Sequence, residues 1–94
     1  MNDAESAIAR IREALDTGRL TINALDDGSG VLLDIDGEQL LTLNATAMYL
    51  VQSIEDGQLD VAGLRERMCE RFEVEADRAE NDVRAFVIEV AGAL

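Results

Sequence analysis

Apolar residues follow two different spacings along the chain, and each spacing predicts one type of element. From Asp3 to Thr17 they recur every three or four positions, which predicts an amphipathic helix that Gly18 ends. From Arg19 to Leu43 they alternate with polar residues in short runs, which is typical of strands with one buried face. The pattern therefore predicts a helix and then three antiparallel strands, at 19–25, 31–36 and 38–43.

Alternation also divides each predicted strand between two faces. In the middle run an apolar set (Val31, Leu33 and Ile35) alternates with a set that contains two aspartates. In the last run Leu41 and Leu43 are expected to face the core, and Glu38, Leu40 and Thr42 to face outward.

Three further helices are predicted after the strands. Asn44 and Asp60 are good N-cap residues for the first two, and Gly57 ends the first of these. The third runs from about Asp77 to Val90 or beyond. The side chains expected to be buried in these helices are Ala47, Met48, Leu50, Val51, Ile54, Val61, Leu64, Met68, Phe72, Ala79, Val83, Phe86, Val87 and Val90. Strands followed by a run of helices indicate an α+β fold.

The stretch "DIDGE", residues 34–38, has the carboxylates of a calcium loop but not its other features. An EF-hand loop that began at Asp34 would need Gly at its sixth position and Glu at its twelfth, where the chain has Gln39 and Ala45. Asp36-Gly37 instead predicts the two-residue turn of a hairpin, since this dipeptide tolerates positive φ.

The charge of the chain limits the kinds of partner that it can bind. Twenty acidic residues stand against 8 basic ones, all arginine, for a formal net charge of −12. Such a chain repels phosphate backbones, so nucleic acid is not expected as a partner. No apolar run approaches the length of a membrane span, and the acidic start lacks the pattern of a signal peptide. We therefore expect a cytoplasmic protein with no membrane partner.

Residue usage excludes several kinds of catalytic site. Histidine is absent and Cys69 is the only cysteine, so an internal disulfide, a Cys/His zinc site and a histidine general base are excluded. Cys69 lies beside an apolar stripe, where we expect a half-buried, unreactive thiol. No enzyme activity, metal or cofactor is expected.

Several short motifs occur in a characteristic order between residues 20 and 94. They are Leu43-Asn44, Ala45-Thr46-Ala47, Asp56-Gly57, a hydrophobic-x-x-Leu helix start at Val61, and Arg71, Phe72 and Val74 of an Arg-Phe-x-Val sequence. In this order and spacing the chain resembles the PqqD family, also called the RiPP recognition element.

This resemblance implies a fold, a division of the chain and a function. The fold would be a winged helix-turn-helix with three strands packed on three helices, formed by residues 19–94. The amphipathic helix at 1–18 would be an addition to it. The resemblance also implies a non-catalytic chaperone, which binds the leader of a precursor peptide and presents it to a modifying enzyme such as a radical SAM protein.

The third strand is the first candidate for the peptide site. In a three-strand meander it lies at an edge, and after Glu38 it has no charge, proline or glycine to protect that edge. Either the N-terminal helix covers it, or it is merely short, or a peptide adds to it as a fourth strand. In the last case the peptide would contact Glu38, Gln39, Leu40, Leu41, Thr42 and Leu43.

The last helix supplies the second candidate surface. Ile88 falls opposite its apolar stripe, between Arg84 and Ala91. A single exposed Ile is ordinary. Together with the edge strand, however, these residues would form one wall of a groove, and Arg84 would pair with an acidic residue of the leader. The resemblance implies a peptide between this strand and this helix.

The role of the N-terminal helix and the kind of partner are both left open by the sequence. The helix would dock on the core, shield the groove or form a dimer contact, so a monomer and a homodimer are both compatible with it. The second candidate function is a protein-interaction or regulatory module that keeps the fold but binds no leader peptide.

Overall fold

The computed structural model describes residues 3–94 and has the predicted order of elements. Its elements are α1 (Asp3–Asp16), β1 (Leu20–Ala24), β2 (Gly30–Asp34), β3 (Gln39–Leu43), α2 (Ala45–Glu55), α3 (Val61–Arg71) and α4 (Ala76–Ala93). The strands form one antiparallel sheet in the order β1-β2-β3. The predicted α+β fold, with a meander before three helices and an extra helix in front, is confirmed.

Local side-chain chemistry sets where α2 and α3 begin. The Asn44 side chain accepts a hydrogen bond from the Ala47 N–H at 2.8 Å, and the Asp60 side chain accepts one from the Gly63 N–H at 2.6 Å. Each bond satisfies an N–H that has no partner in the first turn of a helix. Gly57 follows α2 with a φ of 108°, which glycine adopts without steric cost. These predicted boundaries are confirmed.

The buried face of β2 is the more polar of its two faces. Leu32 and Asp34 are buried, although Asp34 belongs to the more polar of the two alternating sets. Ile35, from the wholly apolar set, is 53% exposed because the strand ends before it. Asp34 is held on the core side by Arg19, whose Nε donates to Asp34 Oδ1 at 3.2 Å. A buried carboxylate needs such a partner.

The turn between β2 and β3 differs from the predicted two-residue turn. Asp34 pairs with Gln39, so four residues connect the strands, and the residue with positive φ is Glu38, at 52°. Gly37 is required for another reason: a Cβ there would lie 2.5 Å from Asp34 Oδ2. The Gly37 N–H also donates to Asp34 Oδ1 at 3.2 Å, so the buried Asp34 organises the turn.

Asp34 should make stability depend on pH at the acidic end. Burial raises the pKa of this carboxyl, but the Gly37 N–H and the Arg19 guanidinium outweigh it, and the pKa lies below its ordinary value of 3.8. A group of this kind adds stability that is present above the unfolded-state pKa and lost as the pH falls through the lower folded-state pKa. We expect Asp34→Asn to destabilise the protein at pH 7, and its deficit relative to wild type to narrow below about pH 4.

Urea unfolding between about pH 3 and 7 would measure this deficit. Asp36→Asn, which removes an exposed acid of the same turn, is the matched control and should show a small deficit at every pH. A deficit of Asp34→Asn that stays constant across the range would contradict the assignment.

The first helix is part of the core. Its buried side chains are Ala4, Ala7, Ile8, Ile11 and Ala14, and Ile8 and Ile11 are 0% exposed. They pack mainly against α4 and also against α2. Arg12 Nη1 donates to the carbonyls of Ile54 and Glu55 at 2.9 and 2.7 Å, at the C-terminal end of α2. Of the three roles considered for this helix, the structure shows docking.

Candidate functional site

The β1–β2 ladder fixes the direction in which the backbone groups of β2 point. The Leu25 N–H donates to the Ser29 carbonyl at 2.8 Å, and the Ile35 N–H donates to the Arg19 carbonyl at 2.9 Å. In an antiparallel pair, hydrogen-bonded positions alternate with positions that are not bonded. The odd-numbered residues of β2 therefore bond to β1, and the even-numbered residues bond to β3.

This alternation leaves a free row of backbone groups on β3. The even-numbered residues of β2 are paired with Gln39, Leu41 and Leu43. The N–H and C=O groups of Leu40 and Thr42 consequently point away from the sheet. No further strand pairs with β3 in the described part of the chain, so these two donors and two acceptors form an open edge.

A groove of about 260 Å³ runs between β3 and α4. It is lined by Leu41, Thr42, Leu43, Asn44, Ala47, Phe86, Glu89, Val90 and Ala93. Gln39 Nε2 donates to the Ala93 carbonyl at 2.9 Å and joins the two walls at one end. Leu41 and Phe86 are half-buried and expose part of their apolar surface here. Glu89 is the one charged residue in this lining, so the groove is apolar with an acidic margin.

The predicted site residues of the third strand fall in three places. Leu41, Thr42 and Leu43 line the groove. Leu40 is 61% exposed on the outer face of the sheet, and Gln39 closes the end of the groove. Glu38 lies in the turn. Leu43 is buried and Leu41 half-buried, whereas Leu40 and Thr42 are exposed, which confirms the inward and outward sides predicted for this strand. Peptide contact remains a prediction.

The predicted site residues of the last helix are not brought beside β3. Ile88 and Ala91 line a different cavity together with residues of α1, and Ala91 is buried. Arg84 Nε lies 3.3 Å from Glu80 Oε2 on the same helix. The expected geometry is corrected because α1 occupies the side of α4 that the helical spacing left exposed. A role for these three residues in peptide binding stays a prediction.

The helix wall of the groove is instead formed by part of the predicted core stripe. Phe86 and Val90 belong to that stripe, and Glu89 and Ala93 lie at its border. Their positions, three and four apart, place them on one side of α4. The apolar spacing predicts this stripe, but it places the whole stripe in the core because the pattern does not show where the core ends.

The groove continues past the start of α2 into a second cleft. A shallow pocket of about 260 Å³ adjoins it, lined by Asn44, Thr46, Ala47, Leu50, Asp82 and Phe86. Beyond this pocket lies a cleft of about 600 Å³, lined by Thr46, Met68, Phe72, Glu73, Val74, Glu75, Arg78 and Asp82. The pocket shares residues with both neighbours, so one depression follows α4 from its C-terminal end to its first turns.

Residues 3–94 also answer three questions raised by the sequence, about metal binding, Cys69 and membrane spans. No group of three or more Asp, Glu, Cys or His side chains is placed to hold a metal ion. Cys69 is exposed rather than half-buried, because the buried stripe of α3 passes through its neighbour Met68. Within the same residues, no helix is both long and apolar enough to cross a membrane.

Comparison with known proteins gave two matches. Residues 29–93 match the family described as coenzyme PQQ synthesis protein D (PqqD). A solved structure of lasso peptide synthetase B1, complexed with the leader peptide, has a TM-score of 0.66 and 32% sequence identity to this chain. The match covers 77% of this chain and 82% of that chain. No curated protein matched the sequence.

Proposed function

Because this chain belongs to the family of coenzyme PQQ synthesis protein D (PqqD), we propose that it binds the leader of a ribosomally made precursor peptide and presents it to a modifying enzyme. The similarity to a lasso peptide synthetase B1 structure that holds a leader peptide supports this function over a general protein-interaction module. The chain would act without catalysing a reaction itself, in the cytoplasm, beside an enzyme such as a radical SAM protein.

The open edge of β3 is the observation that carries this proposal. Leu40 and Thr42 offer two N–H and two C=O groups, which an extended peptide satisfies by adding as a fourth strand. Alternate side chains of that peptide would face the groove, where Leu41 and Phe86 expose apolar surface. The others would lie beside Leu40 on the outer face of the sheet. Main-chain bonds would thus supply affinity, and the groove would select side chains.

Charge restricts which peptides fit. Glu89 lines the groove, and the whole chain carries a formal charge of −12. A strongly acidic peptide would be repelled at long range. We therefore propose a leader with apolar residues at alternate positions and neutral or basic residues between them.

The direct test is titration calorimetry with the precursor peptide encoded beside the gene for this chain. We expect one peptide to bind per chain, and the leader alone to bind as tightly as the whole precursor. NMR spectra of the labelled protein should show the largest amide shifts on β3 and on the groove side of α4. The absence of binding to both the precursor and the leader would overturn the proposed function.

Replacing Phe86 with Ala should weaken peptide binding. The ring forms part of the helix wall, and removing contact with a bound apolar side chain should lower affinity about tenfold. Ile88→Ala is the matched control, because Ile88 lies on the same helix but faces away from β3. Calorimetry on both variants, at a temperature where each is folded by circular dichroism, measures the effect.

The control also tests the opposite surface of the same helix. If Ile88→Ala weakened binding and Phe86→Ala did not, the peptide would lie along the Arg84, Ile88 and Ala91 side. That result would contradict the β3–α4 groove as its site.

A further inference from the structure

We infer that the cleft at the start of α4 is a second subsite for the same peptide, and that it receives a basic segment on the N-terminal side of the added strand. This inference rests on the proposed function, since it extends the site along β3. This cleft has a volume of about 600 Å³ and is larger than the groove of about 260 Å³ beside β3.

Continuity is the first argument for this subsite. The shallow pocket between the two cavities shares Phe86 with the groove and Asp82 with the cleft. From Phe86 to Arg78 the axis of α4 advances by about 12 Å, at about 1.5 Å per residue. An extended peptide spans that length in about four residues. About four residues of a chain that leaves the end of β3 near Asn44 are therefore long enough to reach the cleft.

The floor of the cleft is apolar and held in place. Met68 is buried, and Phe72 and Val74 are half-buried beneath the opening. The Phe72 ring meets the Tyr49 ring edge to face, with 5.7 Å between the centroids and an interplanar angle of 83°. This aromatic pair fixes the orientation of Phe72. The floor is thus suited to one apolar side chain of an extended peptide.

The rim of the cleft selects the charge of its occupant. Its lining has three acidic side chains, Glu73, Glu75 and Asp82, and one basic side chain, Arg78. The Nε of Arg78 lies 3.8 Å from Asp82 Oδ2. Glu73 and Glu75 form no ion pair within residues 3–94, so their carboxylates are available to a basic partner. An Arg or Lys next to an apolar residue complements this rim and floor together.

Strand direction assigns the subsite to one side of the peptide. The sheet is wholly antiparallel, and an added strand that continues this arrangement runs opposite to β3. The N-terminal end of the strand then lies next to Leu43 and Asn44, where the depression leads to the cleft. The residues just before the paired segment, about four of them, occupy the cleft.

A double-mutant cycle between the protein and its peptide tests this subsite. The probe is the leader of the precursor encoded beside the gene, made whole and without the four residues that precede the segment paired with β3, as mapped by NMR. The protein variant is Glu73→Gln with Glu75→Gln, which removes two charges and keeps the shape of the rim. Glu66→Gln with Glu70→Gln, on an exposed face of α3, matches the change in net charge.

We expect the rim variant to bind the whole leader about fivefold more weakly than wild type does, with a smaller salt dependence. Truncation should weaken binding to wild type by at least as much, and should remove the difference between wild type and the rim variant. The Glu66/Glu70 control should bind like wild type.

Three results would overturn the subsite. The first is a truncated leader that binds wild type as tightly as the whole leader does. The second is a rim variant that is equally weakened with both peptides. The third is coupling of the rim to residues on the C-terminal side of the paired segment. If no leader binds wild type at all, the proposed function fails and the subsite fails with it.

Discussion

Replacing Thr42 with Pro is expected to weaken leader binding by at least about thirtyfold while the protein stays folded. The hydrogen-bond pattern of the sheet points the Thr42 N–H away from β2, so proline removes no bond within the sheet. It does remove one of the two donors of the open edge, and its ring occupies the space of the added strand. Loss of one bond together with this clash should cost at least about 2 kcal/mol, or about thirtyfold in affinity.

Two controls separate this effect from a damaged sheet. Thr42→Ala shortens the same side chain but keeps the N–H, so it should bind the leader nearly as wild type does. Ala24→Pro places proline at the opposite edge, where the same alternation points the Ala24 N–H outward, and it should also bind normally. Calorimetry and circular dichroism measure binding and folding for all three. A folded Thr42→Pro protein with wild-type affinity would rule out strand addition.

Replacing Ile11 with Ala is expected to lower the free energy of unfolding by about 2–5 kcal/mol. Ile11 is 0% exposed and lies where α1 packs on the rest of the protein, so the truncation leaves a cavity in the shared core. A small domain has only about 5–15 kcal/mol of stability, so this loss is large. Urea unfolding followed by circular dichroism measures it.

Matched variants distinguish a core helix from a removable cover. Ile11→Val should cost only about 0.5–1.5 kcal/mol, because it removes one methyl group. Arg10→Ala, on the exposed side of α1, should cost little. Leader affinity of the folded fraction should be unchanged in each variant, since no residue of α1 lines the groove. Unchanged stability with tighter leader binding in Ile11→Ala would show that the helix shields the site.

Elements whose limits depend on neighbouring residues could be predicted from the sequence. Asn44 and Asp60 bond to N–H groups three residues ahead, so the information needed to start α2 and α3 lies within one helical turn. The faces of the third strand were also predictable, because Leu41 and Leu43 keep the strict two-residue period of a half-buried strand.

Features that depend on distant partners could not be predicted. Asp34 is buried with Arg19 as its partner, which lies just before β1 and donates to it, and that contact has no signature in local hydrophobicity. The same residue sets the form of the turn through Gly37. The groove side of α4 required knowledge of where α1 docks, which amphipathic spacing alone does not give.

The double role of α4 bears on how these proteins diversify. One side of the helix, through Val83 and Val87, is buried in the core, while Phe86 and Glu89 border the groove. If the groove binds the leader as proposed, substitutions on the second side would change which peptide is bound and leave the buried side intact. Small substitutions along this one helix would then adapt the site to a changed peptide sequence, with little loss of thermodynamic stability at each step.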